Sequence, residues 1–306
     1  WGGPAFPCEP RMTPRDIGTM LRAAGENWVK DYAQSMGAAL AFYTMFSIAP
    51  LLLIVISVAG FVFGEEAARG EIYVQLHGML GSAGASAVQA LLEQVGRSSE
   101  SGLATLFGSV LLFVGATSVF AELQDALDRI WRVPHRAPRS GLWSLLRARL
   151  LSFGMILGFG FLLIVSLAMS AALAAVGRWW DPQAIGWLTA ANAIEVSLSI
   201  GLVTCIFAMI YKVMPRAGVA WRDVWVGAAF TSLLFLAGKF LIGVYIGHSG
   251  ISTLFGAAAS LVVVLMWVYY SAQIFLFGAE FTWVYSHAFG SRKARSAAPS
   301  VEGRES

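Results

Sequence analysis

Long apolar runs separated by short polar stretches dominate this sequence. A helix needs about 20 apolar residues to cross the hydrocarbon core of a bilayer. Runs of this kind occur at 38–63, 104–121, 150–176, 190–211, 224–247 and 255–285. A membrane barrel would instead need strands of about ten alternating residues, which the sequence does not show. Because a helix satisfies its own backbone hydrogen bonds in hydrocarbon, the pattern predicts an all-α polytopic membrane bundle with six transmembrane helices.

The polar stretches divide the chain further. Pro14 and Asp16 resemble a helix start, and Ile17, Leu21 and Trp28 follow on one face, which predicts an amphipathic helix lying in the membrane plane. Helical spacing of apolar residues also predicts helix in the first outer connection. The predicted organisation is a cytoplasmic tail over 1–35, a membrane domain over 36–288 with an outer connection at 64–103 and a cytoplasmic one at 122–149, and a disordered basic tail over 289–306.

Composition agrees with a membrane location. Hydrophobic residues make up 57% of the chain and charged residues 13%, whereas soluble domains carry about 25% charged residues. The net charge of +3 is spread beside apolar runs instead of along one basic face, so nucleic acid is not an expected partner. Cys8 and Cys205 form neither a disulfide framework nor a CxxC pair.

Basic residues set the expected orientation, because cytoplasmic loops carry an excess of Lys and Arg. They are frequent before the first run, after the second and fourth, and after the sixth, and they are rare elsewhere. We therefore expect a multi-pass protein of a bacterial cytoplasmic (inner) membrane with both termini in the cytoplasm. The start of the sequence lacks the basic, apolar and cleavage regions of a signal peptide, so we expect the first span to act as its own insertion signal.

Three stretches carry a resemblance to a known family. They are AALAFYTMFSIAPLLLIVISVAGFVFG at 38–64, SVFAELQDALDRIWRV at 118–133 and GAAASLVVVLMWVYYSAQIFLFGAEFTWVY at 256–285. With the six-span layout, the sequence resembles the YihY/BrkB membrane proteins, formerly labelled ribonuclease BN, from about residue 20 to 290. It departs from the family at Asp128, where relatives tend to have Asn. The resemblance implies a membrane fold without fixing a chemistry, and we interpret the old nuclease label as a misassignment.

The first run contains a candidate substrate path. Pro50 lies near the middle of the run, where it removes a backbone donor and is expected to kink or break the helix. Tyr43, Ser47 and Ser57 share its face, as in transporters whose broken helices line a central site. The alternative is that Pro50 only shapes helix packing.

Ionisable residues inside apolar runs are costly and therefore informative. Glu195 and Lys239 lie at matching depths in the fourth and fifth runs, which predicts an ion pair between them. Glu280 extends a polar line with Tyr269 and Gln273 along the sixth run, a second candidate path. The alternatives are a purely structural pair, a Lys239 side chain that extends to the membrane surface, and hydrogen bonding between helices.

Small residues four apart predict close helix approach, as at Gly60 with Gly64 and at Gly243 with Gly247. These pairs indicate packing and not substrate binding.

Enzymatic patterns are sparse. Glu122, Asp125 and Arg129 follow the second run at helical spacing, and Asp125 with Arg129 is a candidate ion pair. The four histidines are scattered, and no metal, nucleophile-elbow or phosphate-loop motif occurs. We expect no catalytic residues, metal or cofactor.

These observations favour a transporter or lipid-handling protein whose partners are membrane lipids and a small-molecule or lipid substrate. One alternative is a scaffold that organises an envelope complex through the outer connection. A membrane-bound hydrolase or nuclease acting at the Arg-rich cytoplasmic connection is a third.

Overall fold

A computed structural model of the protein describes residues 14–64, 66, 69–70, 72–74, 77, 85–90, 92–93, 118–134, 185–248, 255 and 258–293. Regular structure in these ranges is helical, without strands. The principal helices are α1 (Pro14–Lys30), α2 (Ala33–Phe63), α3 (118–130), α4 (Ile185–Val213), α5 (Trp221–His248) and α6 (Ala259–Ala288).

Helix α1 begins at the predicted proline and is amphipathic. Asp16 in its first turn and Lys30 in its last turn complement the helix dipole. Its most buried apolar residues are Met20 and Ala24, whereas Ile17 is 43% exposed. On the predicted face of Ile17, Leu21, Ala24 and Trp28, Ala24 is fully buried and only Ile17 is exposed, while Asp16 beside it is also buried.

A tight turn joins α1 to α2. Tyr32 adopts a left-handed backbone conformation with φ 57°, and its carbonyl accepts hydrogen bonds from the amides of Ser35 and Met36. The connection between the two helices is therefore only two residues long, Asp31 and Tyr32.

Helix α2 has 31 residues and continues through Pro50. The helix is therefore continuous at Pro50, and a kink at this residue stays a prediction. The helix stops at Gly64, whose φ of +89° is a conformation that suits glycine.

Helices α5 and α6 each contain a candidate segment for crossing a bilayer. Among the described residues, Trp221–Ile246 and Ala259–Ala288 are long and apolar enough to do so, and Ser199–Val213 in α4 is a shorter apolar helix. At about 1.5 Å per residue, a helix of 30 residues is about 45 Å long, which exceeds the hydrocarbon thickness. Large apolar side chains on α5 face outward, with Phe240 72% and Leu241 60% exposed.

The chain forms two compact units. The first comprises 1–130 and 234–281, and the second comprises 131–233 and 282–306. In the first unit, a core of buried side chains joins α2, the outer connection, α5 and α6, and includes Ile56, Val88, Ile242, Val264 and Trp267. The second unit contains α4, the start of α5 and the end of α6.

Four predicted spans coincide with helices. The runs at 38–63 and 190–211 lie within α2 and α4, those at 224–247 and 255–285 largely within α5 and α6. The runs at 104–121 and 150–176 fall outside the described residues except for 118–121. The all-helical character of the prediction is confirmed for the described ranges, and the count of six spans stays a prediction.

Candidate functional site

The predicted path on α2 is partly described. Tyr43 is half-buried, and Ser47 is buried with its hydroxyl donating to the Thr44 carbonyl at 3.1 Å. That bond is internal to the helix, so the hydroxyl hydrogen of Ser47 is already donated to a backbone carbonyl. The side chains of Pro50 and Ser57 lie outside the described residues.

The predicted charge pair is also only partly described. Lys239 is half-buried on α5, whereas the side chain of Glu195 on α4 lies outside the described residues. The ion pair between them stays a prediction.

The predicted polar line on α6 passes through three different environments. Tyr269 is 37% exposed, Gln273 is half-buried and Glu280 is fully buried. The side chain of Gln273 donates to the carbonyl of Gln34 at 3.4 Å, which connects α6 to the start of α2. Tyr269 instead lines an apolar groove of about 420 Å³ with Leu241, Ile242, Tyr245, Met266 and Tyr270.

On α3, the three residues of the predicted motif, Glu122, Asp125 and Arg129, do not form a single cluster. Glu122 is half-buried, and burial, followed by the neighbouring charge of Asp125, raises the pKa of its carboxyl group. Arg129 places its guanidinium 5.9 Å from the centre of the Tyr32 ring. The Asp125 and Arg129 ion pair is not formed within the described part of the chain, because Arg129 contacts the aromatic ring instead.

The structure reveals a buried hydroxyl network between α4 and α5 that the sequence did not predict. The Thr204 and Ser232 hydroxyls lie 2.7 Å apart, and the Tyr211 hydroxyl lies 3.0 Å from that of Thr231. Thr231 also donates to the carbonyl of Gly227 at 2.7 Å. The four side chains are buried, so the network is a polar interior within apolar helices.

Gly227 lies beside this network and permits close contact with the end of α6. A Cβ at this position would overlap the Thr282 hydroxyl and lie 2.6 Å from the Thr282 Cβ. Thr282 is fully buried. The close approach therefore depends on the missing side chain of Gly227.

A second polar cluster joins the start of α5 to the segment after α6. Asp223, in the first turn of α5, accepts a hydrogen bond of 2.6 Å from the Ser291 hydroxyl and another of 3.2 Å from the Ser291 amide. Arg292 donates to the carbonyl of Gly218 at 3.3 Å. These contacts hold the ends of both helices together.

Two guanidinium groups lie on two tryptophan rings in the same region. The Arg132 Cζ is 4.1 Å from the centre of the Trp283 ring, and the Arg292 Cζ is 5.0 Å from that of Trp131. Arg132 has a φ of 52°, a left-handed conformation uncommon for residues other than glycine.

No group of three or more His, Cys, Asp or Glu side chains that could hold a metal ion occurs within the ranges given for the structure. The centre of the His287 ring lies 4.2 Å from the centre of the Trp283 ring.

The sequence contained only part of this information. The basic and aromatic residues of the stretches predicted to be cytoplasmic were visible in it, but their pairing joins residues 131–132 to 283 and 292, far apart in the chain. Thr204, Tyr211, Thr231 and Ser232 were overlooked because neutral hydroxyls do not interrupt an apolar run as charges do. Their helical spacing was the available signal.

Long apolar helices with exposed aliphatic faces and internal hydroxyl pairs define a helical membrane protein. The family model described as "Virulence factor BrkB" matches residues 24–302. The chain belongs to this family, and the resemblance inferred from the three stretches is confirmed.

Several curated relatives are named "UPF0761 membrane protein". That of Pseudomonas aeruginosa is 28% identical over 262 residues, covering 84% of this chain and 60% of the relative. The Azotobacter vinelandii protein is 28% identical over 263 residues, which cover 83% of this chain and 60% of the relative. The Pseudoalteromonas atlantica protein is 27% identical over 248 residues, which cover 80% of this chain and 78% of the relative. The chain thus spans 60% of the length of the first two relatives. No solved structure matches.

Proposed function

We propose that the protein is a transporter or lipid-handling protein of the bacterial cytoplasmic membrane. In this proposal it crosses the membrane six times, keeps both termini in the cytoplasm, and moves a small-molecule or lipid substrate without catalysis or a cofactor. The apolar helices and the alternation of basic residues along the sequence support the topology.

The buried hydroxyl network on α4 and α5 carries the functional part of the proposal. Thr204 and Tyr211 are seven residues apart, which places them on one face of α4 about 10 Å apart along the helix. Their partners Thr231 and Ser232 are adjacent on α5. Polar groups are costly in hydrocarbon unless they are satisfied. These hydroxyls are satisfied by one another and by carbonyls of their own helices. In this proposal a polar group passes between the helices by replacing the bonds between the paired hydroxyls.

The test is flux in liposomes that contain the purified full-length protein. Ions, amphipathic solutes and fluorescently labelled lipids are compared with empty vesicles. We expect transfer of at least one class, and a marked loss of rate in the Thr204→Val and Thr231→Val variants. Ser199→Ala, at an exposed position of α4, is the matched control.

Two results would count against transport. The first is no flux above empty vesicles across the three classes. The second is full activity in both hydroxyl variants, which would assign the network to packing alone.

A cavity on the outer connection favours the scaffold as a second candidate function. It has a volume of about 340 Å³, and its lining includes the polar residues Arg69, Tyr73, Gln89 and Glu93 and the apolar residue Ile56. A mixed lining of apolar and polar groups is typical of binding sites. Co-purification of a stoichiometric envelope partner, lost on Glu93→Lys but retained on Thr231→Val, would favour this function over transport.

A further inference from the structure

The cluster formed by Trp131, Arg132, Trp283 and Arg292 combines cationic and aromatic groups. Each guanidinium lies over one indole ring, at 4.1 and 5.0 Å from the ring centre. A ring beneath a guanidinium fixes the plane of its N–H donors, which is the form in which arginine recognises phosphate and carboxylate oxygens.

Trp131 contributes a donor of its own. The residue is 3% exposed, and its indole Nε1 has no hydrogen-bond acceptor among the residues that the structure describes. A buried N–H group without an acceptor is costly. An indole can only donate, so the group that satisfies it must present an acceptor atom.

The surrounding charge favours an anion. Arg132, Arg292 and Asp223 all lie close enough to His287 to interact with it electrostatically, so these groups share one region. The Asp223 carboxylate is engaged by the amide and hydroxyl of Ser291. Lys212 lies in the last turn of α4, and Arg216 lies in the connection that follows it.

We propose that this cluster is a binding site for a phosphate group, with the phosphodiester headgroup of an anionic membrane lipid as its source. The oxygens of one phosphate accept from the guanidinium groups and from the Trp131 indole N–H. The left-handed backbone at Arg132, with φ 52°, places its side chain on the Trp283 ring.

The position of the cluster supports a lipid as the source of the phosphate. It lies at the end of the apolar helix α6, beside the start of α5. Trp221 and Trp225 in the first turns of α5 are 50% and 46% exposed. Exposed tryptophans at the end of an apolar helix are typical of the headgroup region of a bilayer.

The experiment measures ligand binding by the full-length, delipidated protein in a neutral detergent, without any transport. The probes are short-chain phosphatidylglycerol, short-chain diacylglycerol, which lacks the phosphate, and soluble glycerol phosphate. We expect phosphatidylglycerol to bind at least about tenfold more tightly than diacylglycerol, because charged hydrogen bonds to phosphate are lost in the latter.

Two variants test the geometry. Trp131→Phe keeps an aromatic ring beneath Arg292 but lacks the indole N–H, and Arg292→Gln removes one guanidinium. Each is expected to weaken phosphatidylglycerol binding by about tenfold. Arg222→Gln is the matched control, since it removes the same charge from an exposed residue next to Asp223 and is expected to change binding by less than about twofold.

The outcomes separate the sources of the phosphate. Tight binding of phosphatidylglycerol that glycerol phosphate does not displace supports a lipid. Equal binding of glycerol phosphate, lost in the same variants, overturns the lipid source and assigns the site to a soluble phosphate compound. Unchanged binding in Trp131→Phe and Arg292→Gln, or an equal loss in Arg222→Gln, overturns the site itself.

Discussion

At Gly227 the separation of α5 from the end of α6 is set by a single absent methyl group. Thr282 occupies the space in which a Cβ would lie, and its hydroxyl and Cβ would both be overlapped. Gly243, farther along α5, has no atom within 4 Å of a Cβ position. Two glycines on one helix therefore have opposite packing roles.

The Gly227→Ala variant is expected to be less stable than the parent by about 1–3 kcal/mol, because overpacking outweighs the better helix propensity of alanine. Gly243→Ala is the control and should be neutral or slightly stabilising. Thermal unfolding in detergent measures both. Adding Thr282→Ala should recover part of the loss. Equal behaviour of the two glycine variants would contradict the close contact at Gly227.

Glu122 gives a pH dependence with a definite sign. Burial, and then Asp125, raise the pKa of its carboxyl group above 4.5. The folded state therefore disfavours the charged form of Glu122. The protonated carboxyl group contributes to folding stability at low pH, and this contribution is lost as the pH rises through the folded-state pKa.

The Glu122→Gln variant should accordingly be more stable than the parent near neutral pH, and the difference should disappear below about pH 4. Unfolding midpoints across this range measure it. Asp125→Asn should produce a smaller change of the same direction, because it removes the weaker of the two causes. A less stable Glu122→Gln variant near neutral pH would show that the carboxylate is stabilising.

Among elements, α4 and α5 are joined by hydroxyl pairs instead of charges. Tyr211 and Thr231 are both fully buried, and Thr231 additionally bonds the backbone of its own helix. Such bonds between membrane helices contribute about 0.6 kcal/mol on average, and at most about 2 kcal/mol.

A double-mutant cycle on Tyr211→Phe and Thr231→Val should give a coupling energy of about 0.5–1.5 kcal/mol. Each single variant leaves the other hydroxyl without this partner, so the double variant should cost less than the sum. Reversible unfolding in detergent supplies the four stabilities. Strictly additive losses would show that the hydrogen bond between the two side chains contributes nothing.

The helices themselves were predictable because apolar runs of membrane length favour helix whatever their packing. The start of α1 followed from Pro14 and Asp16. Its end was less clear, because the left-handed residue that follows the helix is Tyr32 and not the usual glycine. The hydroxyl pairs and the contact at Gly227 were not predictable, since they depend on how each helix is rotated about its axis. Gly243 has the same local sequence signal as a packing glycine but lies at an open position.

For the whole molecule, the orientation of the helices follows from the placement of Lys and Arg, and it stays a prediction. A variant with Cys8 and Cys205 replaced by serine provides a background for labelling. We expect Glu66→Cys to react with an impermeant maleimide in intact cells, and Arg222→Cys to react only after the membrane is opened. Both positions are exposed. Reaction of Arg222→Cys in intact cells would invert the proposed topology.

The contact between Gln273 and Gly37 has a consequence for how this family varies. The amide of Gln273 lies where a Cβ on residue 37 would be, so the two positions compete for one volume. A larger residue at 37 displaces the Gln273 amide from its contact with the Gln34 carbonyl unless residue 273 is shorter. Among relatives that keep this arrangement, the two positions should therefore change together, and a lone alanine at 37 should be rare where glutamine is retained at 273.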